Sequence, residues 1–353
     1  MRVVVLAGGI STERDVSIVS GTLVCEALRE KGHQAILLDV FFGNENIDMN
    51  NIFTDEYNVD ENCEYIKSFN DKMETIKEER LDFFGPNVIE VCQAADIVFL
   101  ALHGEQGENG KVQAAFDLHG IKYTGSGYLS SALAMDKGLT KKLFKACGIP
   151  TPNGVLLEKE NYTTNLADYQ MDLPVVVKPC CGGSSVGVNI VYDADAYAQA
   201  VEYAFTYERE VVVEEYIKGR EFSVGVIDHE VYPVIEIAPV EEFYNYKNKY
   251  TVGGAVETCP ADLTKEASAK MQGYALKGVD ALYIDGYARL DFMMNDAGEM
   301  FCLEANTLPG MTPTSLLPQE AKATGIDYPS LCEKLIEVSL KKYDNQCEAD
   351  SVK

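Results

Sequence analysis

The sequence has few of the features that mark membrane, zinc or nucleic-acid-binding proteins. No apolar run approaches the roughly 20 residues that a membrane-spanning helix requires. The chain has four histidines and ten cysteines without a Cys-x-x-Cys spacing, so we expect no structural zinc. Its 30 basic residues are outnumbered by 56 acidic ones, which gives a net charge of −26. That charge disfavours nucleic acid or an anionic membrane surface as a partner.

The N-terminus and the cysteines together predict a cytoplasmic protein. The first residues, Met1 to Val5, resemble a β-strand and not a signal peptide. The closest cysteines, Cys180 and Cys181, are adjacent, and adjacent cysteines rarely form a disulfide. A reducing compartment fits both observations.

The chain has 353 residues and 46% hydrophobic content, enough for two or three packed domains. Strand-like and helix-like segments alternate at first: a strand at 2–6, a helix at 15–31, and strands at 35–40 and 96–102. This alternation predicts an α/β fold that begins with a parallel, Rossmann-like sheet. We place three domains at 1–135, 136–213 and 214–353.

Residues 44–90 interrupt this alternation with 13 acidic and 4 basic residues. We expect a surface excursion with some helix near 71–80. A partner-binding lobe is the alternative interpretation.

Two predicted strands near the C-terminus carry a set of oxygen ligands. Asp291 lies in one strand, and Glu304 and Asn306 lie in the next, with a turn at 295–298 between them. A hairpin can direct these three side chains at one point. Carboxylate and amide oxygens suit Mg²⁺, with positions left for the phosphate oxygens of a nucleotide.

A glycine- and serine-rich loop, residues 180–187, joins two predicted strands. Glycines allow backbone N–H groups to face an anion, although such a loop can also be a plain turn. Lys178, just before it, is either a phosphate ligand or a surface lysine. The segment 211–217 resembles an interdomain hinge that pairs with adenine, with Glu221 placed for the ribose, or it is simply structural.

Taken in order, these parts and four further motifs resemble the ATP-grasp enzymes, and within them the D-alanine–D-alanine ligases. The resemblance covers nearly the whole chain except 44–90. Its motifs are Gly8-Gly9-Ile-Ser-Thr-Glu13, His103-Gly-Glu-Gln-Gly107-Glu-Asn-Gly110, Tyr123-Thr-Gly-Ser126 and Leu303-Glu304-Ala-Asn306-Thr-Leu-Pro-Gly310-Met-Thr-Pro-Thr-Ser315-Leu316.

The resemblance implies an ATP-grasp fold and ATP-driven ligation of two D-alanines through an acylphosphate, for peptidoglycan synthesis. It implies one or two Mg²⁺ ions, with Mn²⁺ as an alternative, and a homodimer formed through the N-terminal region. The implied catalytic residues are Glu13, Ser184, Tyr250, Arg289 and Gly310. The implied substrate residues are His103, Ser315 and Leu316. The implied ATP ligands are Lys137, Lys178, Ser185, Glu214, Tyr216, Ile217, Glu221 and Lys249, and the metal ligands are Asp291, Glu304 and Asn306.

Tyr250 and Lys249 would belong to a mobile active-site loop at 240–261, and a tyrosine there favours an amine acceptor. Several of these residues also have ordinary structural interpretations. Glu13 could belong to a helix N-terminus, Ser315 could cap a helix, and Arg289 could be an ion-pair partner.

Three other functions stay open at this point. The second substrate could be D-serine, because one pocket decides between a methyl and a hydroxymethyl group. The chain could be another ATP-grasp amino-acid ligase. It could also be a non-catalytic nucleotide-binding regulator, although such a protein would not need the complete site. Cys180-Cys181 departs from the family pattern in the phosphate loop.

Overall fold

A computed structural model describes residues 1–183, 186–239 and 254–350, without the side chains of 239 and 345–350. The N-terminal part is built on a parallel three-stranded sheet of order β2-β1-β3. Its strands are β1 (Arg2–Ala7), β2 (Gln34–Asp39) and β3 (Ile97–Leu100). Their continuous β-branched and leucine-rich sequences fit a sheet that is covered on both faces. The predicted parallel α/β start is confirmed.

Helices cover both faces of this first sheet. The helices of the N-terminal part are α1 (Arg14–Glu30), α2 (Val59–Lys67), α3 (Met73–Glu79), α4 (Val88–Ala94), α5 (Glu105–Glu108), α6 (Lys111–His119) and α7 (Tyr128–Met135). Of these, α1 and α2 pack on one face of the sheet together with the C-terminal helix, and α4 and α6 pack on the other. The predicted helix near 71–80 corresponds to α3 and a short 3₁₀ turn before it. The description of 44–90 as a surface excursion is incomplete, because Val59, Cys63 and Ile66 are buried in the core.

The second sheet is antiparallel, of order β4-β7-β5-β6. Its strands are β4 (Gly154–Glu158), β5 (Val175–Pro179), β6 (Asn189–Val191) and β7 (Glu210–Glu215). The helix α8 (Lys137–Ala146) precedes it, and α9 (Ala194–Ala204) packs on it. β5 and β6 pair directly, so the glycine-rich segment lies in a hairpin as predicted.

The third sheet, of main order β11-β10-β8-β12-β13, carries the C-terminal motifs. Its strands are β8 (Gly219–Ile227), β9 (Glu230–Val231), β10 (Ile235–Pro239), β11 (Ala255–Thr258), β12 (Tyr287–Asn295) and β13 (Met300–Asn306). The remaining helices are α10 (Lys265–Ala281), α11 (Leu316–Ala323) and α12 (Tyr328–Asp350).

Two predictions at the C-terminal end need correction. Residues 255–258 of the predicted loop at 240–261 form β11, which pairs with β10. The polar composition of the last ten residues, 344–353, predicts a tail, but α12 continues to Asp350. Pro329 lies in the first turn of this helix, where proline is tolerated, and no proline or glycine follows it, so nothing in the sequence ends the helix early.

Candidate active site

A cleft of about 640 Å³ brings together most of the residues singled out from the sequence. Its lining includes Glu13, His103, Lys137, Glu221, Arg289, Asp291, Glu304, Asn306, Gly310, Ser315 and Leu316. These residues come from distant parts of the chain. The fold therefore assembles one site from motifs that are separate in sequence.

The hairpin of β12 and β13 places the predicted metal ligands on one face. Asp291 lies opposite Glu304, and Arg289 lies opposite Asn306. Residues directly opposite in an antiparallel pair, and residues two apart in one strand, point to the same side. The register shifts just after Asp291, where Phe292 pairs with Cys302. Such a bulge turns neighbouring side chains toward a site.

The donor set of this face suits Mg²⁺. Two carboxylates and one amide oxygen are hard ligands, and the cleft in front of them has room for phosphate oxygens. The Oδ1 atom of Asn306 also accepts a hydrogen bond from the Leu308 N–H at 3.0 Å, which fixes the amide orientation. The residues present therefore fit the ion that the sequence predicts.

Arg289 pairs with a predicted metal ligand. Its Nε and Nη2 atoms each donate to one oxygen of Asp291, both at 2.9 Å. The Ser223 hydroxyl donates to the same carboxylate at 2.8 Å. Burial would lower the pKa of Arg289, but Asp291 and the nearby carboxylates raise it above its ordinary value. Arg289 is thus an ion-pair partner that also faces the cleft.

Lys137, at the start of α8, lies between the glycine loop and the metal ligands. Its ammonium donates to the carbonyl of Gly182 and pairs with Glu304 at 3.2 Å. Burial would lower the pKa of Lys137, but the Glu304 carboxylate outweighs this effect and raises it. A buried ammonium here provides positive charge where phosphate oxygens would enter.

A second charged cluster lies beneath the phosphate loop. Glu214 is buried and forms ion pairs with both Lys178 and Lys141. Lys141 also donates to the Thr151 hydroxyl at 2.8 Å. Burial would raise the pKa of Glu214, but the two lysines together lower it. Lys178 is therefore not a surface lysine.

Lys141 was not predicted as a site residue. It lies one helical turn after Lys137 in the predicted helix, so both lysines share a face of α8. This spacing could have identified Lys141 from the sequence.

Glu13 is buried and occupies the N-cap position of α1, as the helix N-terminus interpretation expected. Its side chain makes no capping hydrogen bond with that helix, so the carboxylate can also face the cleft that it lines. A Cβ atom added at Gly183 would lie 3.1 Å from Glu13 Oε2, so the glycine loop passes close to this carboxylate. The neighbouring Arg14 pairs with buried Asp39 at 2.6 Å and fixes the turn.

His103 and Glu108 border the same end of the cleft. Burial lowers the pKa of His103, whose Nε2 lies 3.3 Å from the Ser20 hydroxyl. Burial raises the pKa of Glu108 to about 8, and the Glu13 carboxylate adds to the shift. The sequence analysis quoted Glu108 within a motif but gave it no role.

The turn after β13 shapes the opposite end of the cleft. Ser315 occupies the N-cap position of α11, yet its side chain makes no capping hydrogen bond. Its hydroxyl instead accepts from the Thr312 N–H at 3.1 Å. A Cβ atom on Gly310 would lie 2.9 Å from that hydroxyl, so only glycine fits there without displacement. Leu316 provides the adjoining apolar wall.

The predicted hinge connects β7 and β8. The N–H of Tyr216 donates to the Pro174 carbonyl at 3.2 Å, and Tyr216 and Ile217 are half-buried. Glu221, in β8, lines the cleft. The predictions for Ser184, Ser185, Lys249 and Tyr250 lie outside the described residues.

Within the described part of the chain, no helix is both long enough and apolar enough to cross a lipid bilayer. This finding agrees with the sequence, which has no such apolar run.

Comparisons with known proteins identify the family. The family described as "D-ala D-ala ligase N-terminus" matches residues 2–126, and "D-ala D-ala ligase C-terminus" matches residues 143–337. A relative from Pediococcus pentosaceus, a D-alanine–D-alanine ligase, is 43% identical over 98% of this chain and 99% of its own.

Solved structures agree with the family match. The ATP complex of D-alanine–D-alanine ligase from Bacillus anthracis has a TM-score of 0.77 at 32% identity, over 98% of this chain and 99% of that one. The VanG D-Ala:D-Ser ligase from Enterococcus faecalis has a TM-score of 0.76 at 29% identity, over 96% and 99%. The predicted ATP-grasp fold is confirmed by these neighbours. This chain belongs to the D-alanine–D-alanine ligase family.

Proposed function

We propose that this protein uses ATP and Mg²⁺ to join two D-alanines into D-alanyl-D-alanine for peptidoglycan synthesis. The observation that carries the proposal is the single cleft that contains Glu13, Arg289 and the trio Asp291, Glu304 and Asn306. A carboxylate, an arginine and a metal-ligand set are the groups that acyl transfer through an acylphosphate needs.

In the first step, the carboxylate of one D-alanine attacks the γ-phosphorus of ATP, and ADP leaves. Glu13 binds the ammonium of this D-alanine through a charge-assisted hydrogen bond, and His103 borders the same position. Lys137 and Lys178 bind phosphate oxygens, with Glu214 and Lys141 fixing Lys178. Asp291, Glu304 and Asn306 would hold Mg²⁺, which would neutralise charge on the phosphates.

In the second step, the amine of the other D-alanine attacks the acyl carbon, and inorganic phosphate leaves. The tetrahedral intermediate carries an oxyanion that the Arg289 guanidinium and the Gly310 N–H stabilise. Ser315 and Leu316 contact the carboxylate end of the acceptor. Gly310 and Ser315 lie close together, because a Cβ atom added at Gly310 would lie 2.9 Å from the Ser315 hydroxyl.

The remaining assignments of the site complete the proposal. Tyr216, Ile217 and Glu221 bind the adenosine, and Ser185 and Lys249 bind phosphates. Ser184 and Tyr250 join Glu13 in covering the first D-alanine. The chain acts as a cytoplasmic homodimer, with domains at 1–135, 136–213 and 214–353. Mn²⁺ can replace Mg²⁺.

D-alanine–D-serine ligation is a second candidate. A D-Ala:D-Ser ligase is similar to this chain over nearly its whole length, as is a D-alanine–D-alanine ligase. The same fold therefore occurs in ligases with either acceptor. The two candidates share the first step and differ only in the acceptor.

Glu304→Gln tests the proposed metal site. We expect D-alanine-dependent ADP release to fall by at least about 10²-fold. Mutating residues that only hydrogen-bond to a metal ligand already lowers metal affinity or activity by about 10–100-fold. Thermal unfolding should show that the variant is folded. The control is Glu299→Gln, an exposed carboxylate on the same hairpin. A folded Glu304→Gln protein with normal ADP release would contradict the site assignment.

A further inference from the structure

Glu320, on α11, is a buried carboxyl group that the proposed reaction does not use. It is 0% exposed, and within the described residues it forms no ion pair and accepts no hydrogen bond from a side chain; the Gly225 N–H and the nearby Arg289 are the groups that favour its charged form. Other buried carboxylates of this protein form ion pairs: Asp39 with Arg14, and Glu214 with two lysines. A buried carboxyl without an ion pair is costly, which raises the question of what Glu320 could do.

Gly225 makes the space that this carboxyl occupies. A Cβ atom added to Gly225 would overlap Oε2 of Glu320 and would lie 2.5 Å from Cδ1 of Leu317. The Glu320 carboxyl therefore fills the position where the side chain of residue 225 would otherwise begin. A glycine at this strand position allows the close approach.

The position of Gly225 identifies the group that Glu320 faces. Gly225 in β8 pairs directly with Arg289 in β12. Cβ atoms of directly opposed residues lie about 4.5–5.5 Å apart on the same face of the sheet. The Glu320 carboxyl thus occupies the cross-strand neighbour position of Arg289, on the face that carries the cleft.

On its other side, Arg289 is bound by Asp291 through two hydrogen bonds of 2.9 Å. Asp291 is also a proposed metal ligand. Oδ1 of Asp291 already accepts hydrogen bonds from both Arg289 and Ser223, so a divalent cation bound to this oxygen would compete with the Arg289 hydrogen bond. Arg289 then needs another acceptor to stay oriented toward the oxyanion.

We propose that Glu320 is a positioning residue that accepts hydrogen bonds from the Arg289 guanidinium when Mg²⁺ binds Asp291. The inference rests on the proposed function, because that function places Mg²⁺ at Asp291 and the oxyanion at Arg289. Glu320 then acts through Arg289 without contacting substrate. Arg289 exchanges one carboxyl partner for another and keeps its place.

The direct test follows the guanidinium by NMR. The chain has seven arginines, so the Arg Nε–H spectrum is simple, and Arg289→Lys identifies the Arg289 signal by its loss. In the native protein we expect a sharp signal both without metal and with Mg²⁺ plus a non-hydrolysable ATP analogue. In Glu320→Gln the signal should stay sharp without metal and broaden, with at least about 10-fold faster solvent exchange, when Mg²⁺ and the analogue are added.

Kinetics provide the second measurement. Glu320→Gln should lower kcat by about 10-fold, less than the 10²–10³ loss for removal of an oxyanion donor, with the KM for ATP unchanged. Glu320→Met, similar in size and apolar, should show the same defect and keeps the test valid if the glutamine variant folds poorly. Glu202→Gln, an exposed carboxylate on α9, is the control and should change neither measurement.

Three outcomes would overturn the inference or its basis, and they differ. An Arg289 signal that responds to Mg²⁺ identically in the native and Glu320 variants would overturn it. Equal broadening with and without metal would also overturn it, because Glu320 would then be a packing residue only. Full activity in Arg289→Lys would instead contradict the proposed function, whatever Glu320 does.

Discussion

At the residue scale, the most unusual environment in the cleft is that of Glu108. Its carboxylate accepts a hydrogen bond from the Gly104 N–H at 2.9 Å, but burial and the Glu13 and Glu304 carboxylates favour its neutral form. Lys137 opposes this effect only in part. At neutral pH this side chain is therefore mainly protonated.

This protonation predicts a pH-dependent stability. The pKa of Glu108 is about 8 in the folded protein against an ordinary value of 4.5. Because the pKa is raised in the folded state, the protonated carboxyl stabilises the fold fully when the pH is below the ordinary pKa. This stabilisation is lost as the pH rises through about 8. Glu108→Gln cannot titrate at this position. The melting temperature of the variant, relative to that of the native protein, should therefore increase as the pH rises.

Melting temperatures of both proteins from pH 5 to 9 would check this prediction, with Glu105→Gln on the same helix as control. A constant difference between native and Glu108→Gln proteins over that range would count against a neutral Glu108.

The residue types and spacing were enough to predict that Asp291, Glu304 and Asn306 lie on one hairpin, while their role as metal ligands stays a prediction. The partners of Arg289 and Glu214 were not predictable in the same way. Asp291 is close to Arg289 in sequence. Glu320 is distant in sequence, and its carboxyl can lie beside Arg289 only because the opposing residue in β8, Gly225, has no side chain. Contacts of that kind depend on three elements packing together.

At the element scale, the segment 44–90 is part of the first core. The helix α2 turns Val59, Cys63 and Ile66 toward β1, β2 and α1, and the hydroxyl of Tyr57 bonds to the backbone of Leu37. The acidic residues of the segment hid this apolar face in the sequence. A partner-binding role for its outer face stays a prediction.

Ile66→Ala tests this packing. The side chain is 3% exposed, and truncation of a buried isoleucine costs about 2–5 kcal/mol. Urea denaturation should show a loss in that range. Leu81→Ala, at a fully exposed leucine in the same segment, is the control and should change stability by less than about 0.5 kcal/mol. Equal stability of the two variants would mean that α2 does not pack as described.

The glycine-rich segment between β5 and β6 carries two thiols with different environments. Cys180 is fully buried and donates to Asp136 at 3.2 Å, whereas Cys181 is half-buried. A hydrogen bond with Cys181, and then burial, raise the pKa of Cys180 well above its usual range. A thiolate is the reactive form, so Cys181 is the more accessible target.

Iodoacetamide should therefore inhibit through Cys181. Peptide mapping should find Cys181 modified at least about 10-fold faster than Cys180, since reactivity follows exposure and thiolate fraction. Cys181→Ala should retain activity during treatment, while Cys147→Ala, which removes an exposed cysteine on α8's C-terminal side, should be inhibited like the native protein. Unchanged inhibition in the Cys180→Ala/Cys181→Ala double variant would contradict this prediction.

At the scale of the whole molecule, the three sheets meet at one cleft with buried lysines in a chain of net charge −26. An anionic nucleotide is repelled by such a protein at long range, so local positive charge must bind it. We propose that Lys137, which lines the cleft, and Lys178 provide that charge, while Glu214 pairs with both Lys178 and Lys141. Sequence order predicted this architecture because each motif falls at the end of a clearly patterned strand or helix.

The choice of acceptor is the central question, and product analysis answers it most directly. The protein is incubated with Mg²⁺-ATP and D-alanine, with D-serine and D-lactate in equal amounts, and products are identified by mass spectrometry alongside ADP release. We expect one ADP for each product formed, with D-alanyl-D-alanine as the main product. Absence of D-alanine-dependent ADP release, or D-alanyl-D-serine as the main product, would contradict the proposed function.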